Sequence, residues 1–331
     1  MHGWIILDKP VGLGSTQAVS AVKRALRDGG YPKRKVGHGG TLDPLASGVL
    51  PVAVGEATKL AGRMLDSDKV YEFTIRFGEQ TDTLDTEGQV IATSDSRPTF
   101  DAVEKVLSQF TGAVDQMPPA FSALKVDGKR AYDLARKGEA VELAPRRVTV
   151  HSLHSSPARG GEQPRSGGGG GLPLGDTPDE PPLHQPAAGP PPRTGEELET
   201  ATLVAHVSKG TYIRSLARDI ALALGTVGHV TMLRRIKAGP FDLQSAISLD
   251  KLAEMAKARA LEDISLPLTA GLDDIPALPV TPDQAGLLRQ GRVLIGIAAD
   301  DGPAFAMLDD VPVALVRVED RQVRVERGFN L

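Results

Sequence analysis

Between residues 157 and 199 the chain holds 10 prolines and 10 glycines and not one Phe, Tyr or Trp. A stretch of that composition buries too little apolar surface to offset the entropy of ordering it. Whatever core the chain builds must therefore come from the two blocks on either side. They have the material, since 40% of the 331 residues are hydrophobic, an ordinary value for a packed domain. The composition predicts a disordered insertion in a surface loop. A linker between domains fits less well, because basic residues resume beyond it rather than a new fold. On that reading the flanking strands, residues 147–153 and 201–208, pair with each other.

The chain has no cysteine, which excludes disulfides, thiolate zinc sites and a cysteine nucleophile and fits a reducing compartment. No run approaches the roughly 20 apolar residues of a membrane span, and the start, MHGWIILDKP, lacks the basic region of a signal peptide. A soluble, cytoplasmic protein is expected. The net charge of −4 argues against a polyanionic partner, but the distribution is uneven. Residues 209–237 carry six basic side chains (Lys209, Arg214, Arg218, Arg234, Arg235, Lys237) against Asp219, while residues 79–104 carry seven acids against Arg97. A polyanion responds to the local face rather than the sum. Ordinary solvated helix faces would give the same counts.

Trp4 to Leu7 reads as a first strand, and Ser15 or Thr16 can cap a helix with Val19, Val22 and Leu26 on one face. Val49 to Val54 is a nearly continuous apolar strand. Tyr71, Phe73, Ile75 and Phe77 alternate with polar residues, as a half-buried strand does. Thr99 can cap a helix carrying Val103, Val106, Leu107 and Phe110, and a further helix is expected over residues 131–137. Ile213, Leu216, Ala217, Ile220 and Leu224 mark one face of a helix stopped by Gly225, with Arg214 and Arg218 on another face. After a helix near residues 249–259, short strands suggest a small β-rich module. Strands and scattered helices together predict an α+β fold.

GHGGTLDPLASG, residues 37–48, sets one carboxylate, Asp43, between a glycine-rich turn and a buried strand. The glycines lack the GxGxxG or GK[ST] spacing of a phosphate loop, no second acid is placed for glycosidase chemistry, and His151 and His154 have no clustered partner to make a metal site. Alone, Asp43 reads as a turn residue. Together with LDKPVG (residues 7–12), KVYEF (69–73), SKGTYIRSLARDI (208–220) and LRRIKAGPF (233–241), in that order, the stretch closely resembles the TruB family of tRNA pseudouridine synthases. The resemblance covers residues 1–250 apart from the insertion, and DPLASG favours the stand-alone bacterial branch. Gly14 departs from the serine that many members carry, and the 157–199 segment from the family's usual length.

The resemblance implies a pseudouridine synthase fold with a mixed central sheet over residues 1–268 and a PUA-like C-terminal domain over 269–331. It implies isomerisation of uridine 55 in the T loop of tRNA, with the base flipped out to be reached, no cofactor, no metal, and a monomer. Asp43 then matches the catalytic aspartate and Arg214 an arginine that pairs with it and keeps it charged. Tyr71 matches the catalytic-site tyrosine that stacks on the target base, its phenol also a candidate for proton transfer, Tyr212 a second site tyrosine and Leu233 a pocket leucine. His38 matches a histidine at the flipped region, and Lys9 a lysine beside the active-site loop. Basic patches at Lys33–Lys35, at residues 125–130 and at 209–237 would follow RNA phosphates. A non-catalytic RNA-binding protein, a synthase with another RNA target and a nucleoside-hydrolysing enzyme are the alternatives. Each residue alone has a plainer reading: Tyr71 and Leu233 as core, Arg214 as a solvated helix charge.

Overall fold

The computed structural model describes residues 1–122, 124–126, 129–130, 143–156 and 196–331. The helix expected over 131–137 and most of the segment 157–199 lie outside them. The chain divides into two compact units, Met1–Tyr71 with Leu233–Leu331, and Glu72–Met232.

In the first unit, β1 (Gly3–Lys9) runs antiparallel to β3 (Ser47–Val54), from Gly3 opposite Val54 to Lys9 opposite Gly48. The outer edge of β3 is shared. At its start it pairs in parallel with the Gly228–Ala238 strand, Arg234 opposite Ser47 and Arg235 opposite Gly48. At its end it pairs antiparallel with β2 (Val36–His38), from Val36 opposite Val54 to His38 opposite Val52. Pro51, which has no N–H to give a ladder, falls between these two partners.

Both faces of this sheet are covered, which is why Val49 to Val54 reads as an unbroken apolar run. Ile5, Leu7, Leu50, Val52 and Val54 meet Val19, Val22 and Leu26 of the Ser15–Asp28 helix, with Leu252 and Ala256 beyond. Trp4, Ile6, Val49 and Ala53 face Leu60, Met64, Phe241, Phe305, Leu315 and Phe329. The period of two in the strand divides the residues between these cores. A separate five-stranded sheet closes the chain, in the order Ala277–Pro279, Gly302–Leu308, Val311–Glu319, Gln322–Gly328, Leu294–Ile295. With the Pro282–Arg289 helix it encloses its own core around Leu288, Val313, Val316 and Val323.

One boundary differs from expectation. The first helix begins after Gly14, and the Gln17 side chain accepts from the Gly14 N–H at 2.8 Å. Ser15 is not the cap because its hydroxyl is committed to Leu42, donating to the carbonyl and accepting from the N–H, both at 2.8 Å.

In the second unit, Thr200–Val207 pairs antiparallel with Arg146–Ser155, which pairs in turn with Gly112–Gln116. The two strands flanking the Pro- and Gly-rich segment are thus partners, as expected. Thr99 caps the Phe100–Leu107 helix by accepting from the Ala102 N–H. The Ile213–Ala223 helix buries Ile213, Leu216, Ala217 and Ile220, the face its spacing predicts.

Gly48 is the tightest point of the first sheet. Its φ is +103°, and a Cβ there would lie 2.2 Å from the Arg235 carbonyl oxygen. Gly48→Ala should cost at least about 2 kcal/mol, from left-handed strain and a backbone clash that no rotamer relieves. Urea unfolding checks this: the midpoint should fall while the slope stays that of the wild type.

Candidate active site

Asp43 lies on the crossing from β2 to β3, in a loop of the first unit whose flanking peptides are each tied down. Arg235 donates to the carbonyls of Gly40 and Thr41, both at 3.2 Å, and to that of Val49 at 2.8 Å. Ser15 holds both polar groups of the Leu42 backbone. The Pro44 carbonyl accepts from the Gly12 N–H at 2.8 Å and from Lys9 Nζ at 3.4 Å. The Asp43 carbonyl itself accepts from the Ala46 N–H at 3.0 Å. Leu42 and Ala46 are buried in the core on either side.

Lys9 is fully buried and gives its ammonium to the carbonyls of Pro10 at 2.9 Å and Leu13 at 2.7 Å. Burial pushes its pKa down to about 8, the nearby Asp43 carboxylate pulls it back up, and the Arg235 guanidinium adds to the lowering. His38 is held below its ordinary value first by burial and then by the same guanidinium, both of which favour the neutral ring. Tyr71 and Leu233 pack against the core that contains Leu42 and Ala46. The first unit thus brings Lys9 and His38 to the Asp43 loop and sets Tyr71 and Leu233 against the core that the loop enters. Lys69 fixes the start of the Tyr71 strand, Lys69–Phe77, by donating to the carbonyls of Met64 and Leu65 at the end of the preceding helix.

Arg214 and Tyr212 stand in the second unit. Tyr212 precedes the Ile213–Ala223 helix, and its N–H and carbonyl are both bonded by the Gln116 amide, at 2.8 and 3.1 Å. Arg214 is buried and donates to the carbonyls of Thr83 at 2.8 Å and Phe121 at 2.9 Å. It also forms an ion pair with Asp85 at 3.1 Å, both side chains nearly enclosed. The solvated-helix reading of Arg214 is therefore wrong.

Asp85 is a residue that sequence reasoning left among the ordinary acids of 79–104. It is held by the Thr83 hydroxyl at 2.6 Å and the Glu87 N–H at 3.1 Å. The only signal was local: TDTLDTEG, residues 81–88, alternates Thr and Asp ahead of a glycine, a turn-forming composition.

The basic run 209–237 is also not one solvated face. Arg214 and Arg235 are buried, Arg218 pairs with Asp219 at 2.8 Å, and Arg234 pairs with Asp8 at 2.7 Å. Helix and strand periodicity send neighbouring cations to different sides. The charge of Lys33–Lys35 is more available. A cavity of about 380 Å³ is lined by these three residues with Lys59, Arg327, His2 and Glu56. It opens beside Gly55, at the end of β3 remote from Gly48 and so about 20 Å along the strand. Lys59 is neutralised by Glu56 at 2.7 Å, whereas Lys33, Arg34, Lys35 and Arg327 have no ion pair among the described residues. The side chains of residues 125–130, the third expected patch, are outside the description.

The mixed sheet with its flanking helices and the separate C-terminal sheet define a pseudouridine synthase fold. Solved structures that share it include an H/ACA RNP bound to a substrate RNA containing 2′-deoxyuridine, at a TM-score of 0.65 and 22% identity over 99% of this chain and 85% of that one. The archaeal box H/ACA sRNP Nop10–Cbf5 complex matches at 0.64 and 21% over 98% and 85%. Residues 29–161 match the TruB family pseudouridylate synthase N-terminal domain, and residues 214–273 the tRNA pseudouridylate synthase B C-terminal domain. Across its whole length the chain is 58% identical to the tRNA pseudouridine synthase B of Novosphingobium aromaticivorans, covering 98% of it, and 56% identical to that of Zymomonas mobilis, covering 96%. The chain belongs to the TruB family of tRNA pseudouridine synthases, which are isomerases. Among the described residues no helix is long and apolar enough to cross a membrane.

The low pKa of Lys9 has a sign that can be tested. Between about pH 8 and 10.5 the folded protein has released this proton while the unfolded chain retains it. The unfolded state binds more protons there, so the contribution of Lys9 to stability rises with pH. Denaturant midpoints at pH 7.5 and 9.5 should separate the wild type from Lys9→Met, with the wild type gaining relative to the variant. Parallel pH dependences would show that the ammonium titrates normally.

Proposed function

We propose that this protein converts uridine 55 in the T loop of tRNA to pseudouridine, with Asp43 as its catalytic carboxylate. The anchoring of the peptides on both sides of Asp43 carries this reading. A side chain needed only for a turn does not require its neighbours to be held by a buried arginine, a buried lysine and a buried serine at once. A carboxylate that must meet one ribose carbon does, because misplacement by about 1 Å can cost a hundredfold in rate.

The reaction breaks the N1–C1′ bond of uridine and forms C5–C1′, so the C5 proton is lost and N1 gains one. Nothing is oxidised or reduced, and neither a metal nor a cofactor is required. Asp43 serves either by attacking C1′ or by taking a ribose proton, and both roles need the ionised form. Arg214 is assigned to pair with Asp43, and Asp85 helps to hold the guanidinium. Tyr71 stacks on the flipped base and Leu233 walls the pocket. His38, whose Nδ1 accepts from the Gly40 N–H at 3.4 Å, offers its Nε2–H to the RNA, and Tyr212 completes the site. Residues 269–331 would act as a PUA-like RNA-binding domain, and the phosphate backbone would meet the unpaired cations of Lys33–Lys35. The protein is assigned to the cytoplasm and acts as a monomer.

Pseudouridine mapping on full-length tRNA should give conversion at uridine 55 alone, and none with Asp43→Asn. Free uracil as product would replace the reading with a hydrolase, and binding without conversion would leave an RNA-binding protein. Arg214→Lys should lose about a hundredfold or more in single-turnover rate, since one ammonium cannot reproduce the planar fork. Lys35→Glu should instead weaken tRNA binding and flatten its salt dependence, with little change in the rate of bound RNA.

A further inference from the structure

We infer that Arg235 is a positioning residue for the reaction, the clamp that sets where Asp43 stands. The inference rests on Asp43 being the reacting carboxylate, as proposed above. Arg235 is 1% exposed, and among the described residues no carboxylate lies within ion-pairing distance of it. Burying an unpaired guanidinium is costly unless its donors are all met. Here each of the three nitrogens has a partner, in the carbonyls of Gly40, Thr41 and Val49. Two of these precede Asp43 by three and two residues, and the third follows it by six.

A core cation placed only for stability has no reason to bind both ends of a single loop. The geometry also explains the neighbouring glycines. Gly48 lets the Arg235 backbone lie directly on β3, and the guanidinium then fills the stretch of edge between the two strands that pair with β3. Gly40, at φ +128°, turns its carbonyl onto the Arg235 fork. Arginine fits because the carbonyls of Val49, Thr41 and Gly40 are each met by a different nitrogen of the spread guanidinium, which the single nitrogen of a lysine does not reproduce. The same charge reaches His38 and Lys9, lowering the proton affinity of each.

The test compares wild type, Arg235→Lys and Arg235→Met on full-length tRNA, after circular dichroism and the fluorescence of the sole tryptophan, Trp4, establish that each is folded. Single-turnover conversion is measured alongside RNA affinity, the latter in an Asp43→Asn background so that bound RNA stays unreacted. Arg235→Met should lose about a hundredfold in rate with affinity within about threefold. Arg235→Lys should lose at least about tenfold despite keeping the charge. The NMR titration midpoint of His38 should rise in Arg235→Met and stay near the wild-type value in Arg235→Lys, separating charge from geometry. If Arg235→Met does not fold, Arg235→Lys alone decides.

Conversion by a folded variant within about threefold of wild type, or a loss confined to affinity, would overturn the clamp. A wild type that makes no pseudouridine would instead remove the functional reading. The predicted movement of the His38 midpoint would remain to report on the Arg235 contacts.

Discussion

The first unit depends on the place where two backbones meet at Gly48 and Arg235. A strand pair needs its chains about 5 Å apart, and here the approach is so close that any side chain at position 48 would enter the opposite carbonyl. From that contact the Arg235 side chain can run only along the unpaired edge of β3, where it finds the Val49 carbonyl and then those of Gly40 and Thr41. The Asp43 loop, the start of β3 and the Gly228–Ala238 strand are therefore fixed together. Loss of the small residue would disturb the loop without touching it.

Charge follows from this packing. The loop carries two buried cations, Lys9 and Arg235, each bonded mostly to carbonyls. Carbonyl dipoles solvate a cation without neutralising it, so both charges remain beside the Asp43 loop. In the second unit the solution differs, since Arg214 has an acid, Asp85, beside its carbonyl partners.

The strands, the Ile213–Ala223 helix and the pairing across the Pro- and Gly-rich segment were legible because they rest on local periodicity and composition. The apolar run of β3 was legible for a related reason, both of its faces being covered. Asp43 was legible only through its motif, as its own spacing reads as a turn. Ser15 was assigned to a helix cap because serine favours caps, yet it spends its hydroxyl on Leu42, 27 residues away. Asp85 was hidden among seven acids, since a carboxylate that meets a buried arginine 129 residues later leaves no mark in its own neighbourhood. The summed charge of 209–237 misled for a matching reason, as helix and strand geometry assign neighbouring cations to unlike surroundings.

By itself the sequence determined the α+β class, the order of most elements, the lack of thiol chemistry and, through ordered motifs, the family. Each is written in nearest neighbours, in period or in composition. Only the tertiary structure decided which cations are buried, that Asp85 pairs with Arg214, and that Arg235 spans the Asp43 loop. Those depend on atoms brought together from 129 to 195 residues apart, and no local pattern encodes the distance between them.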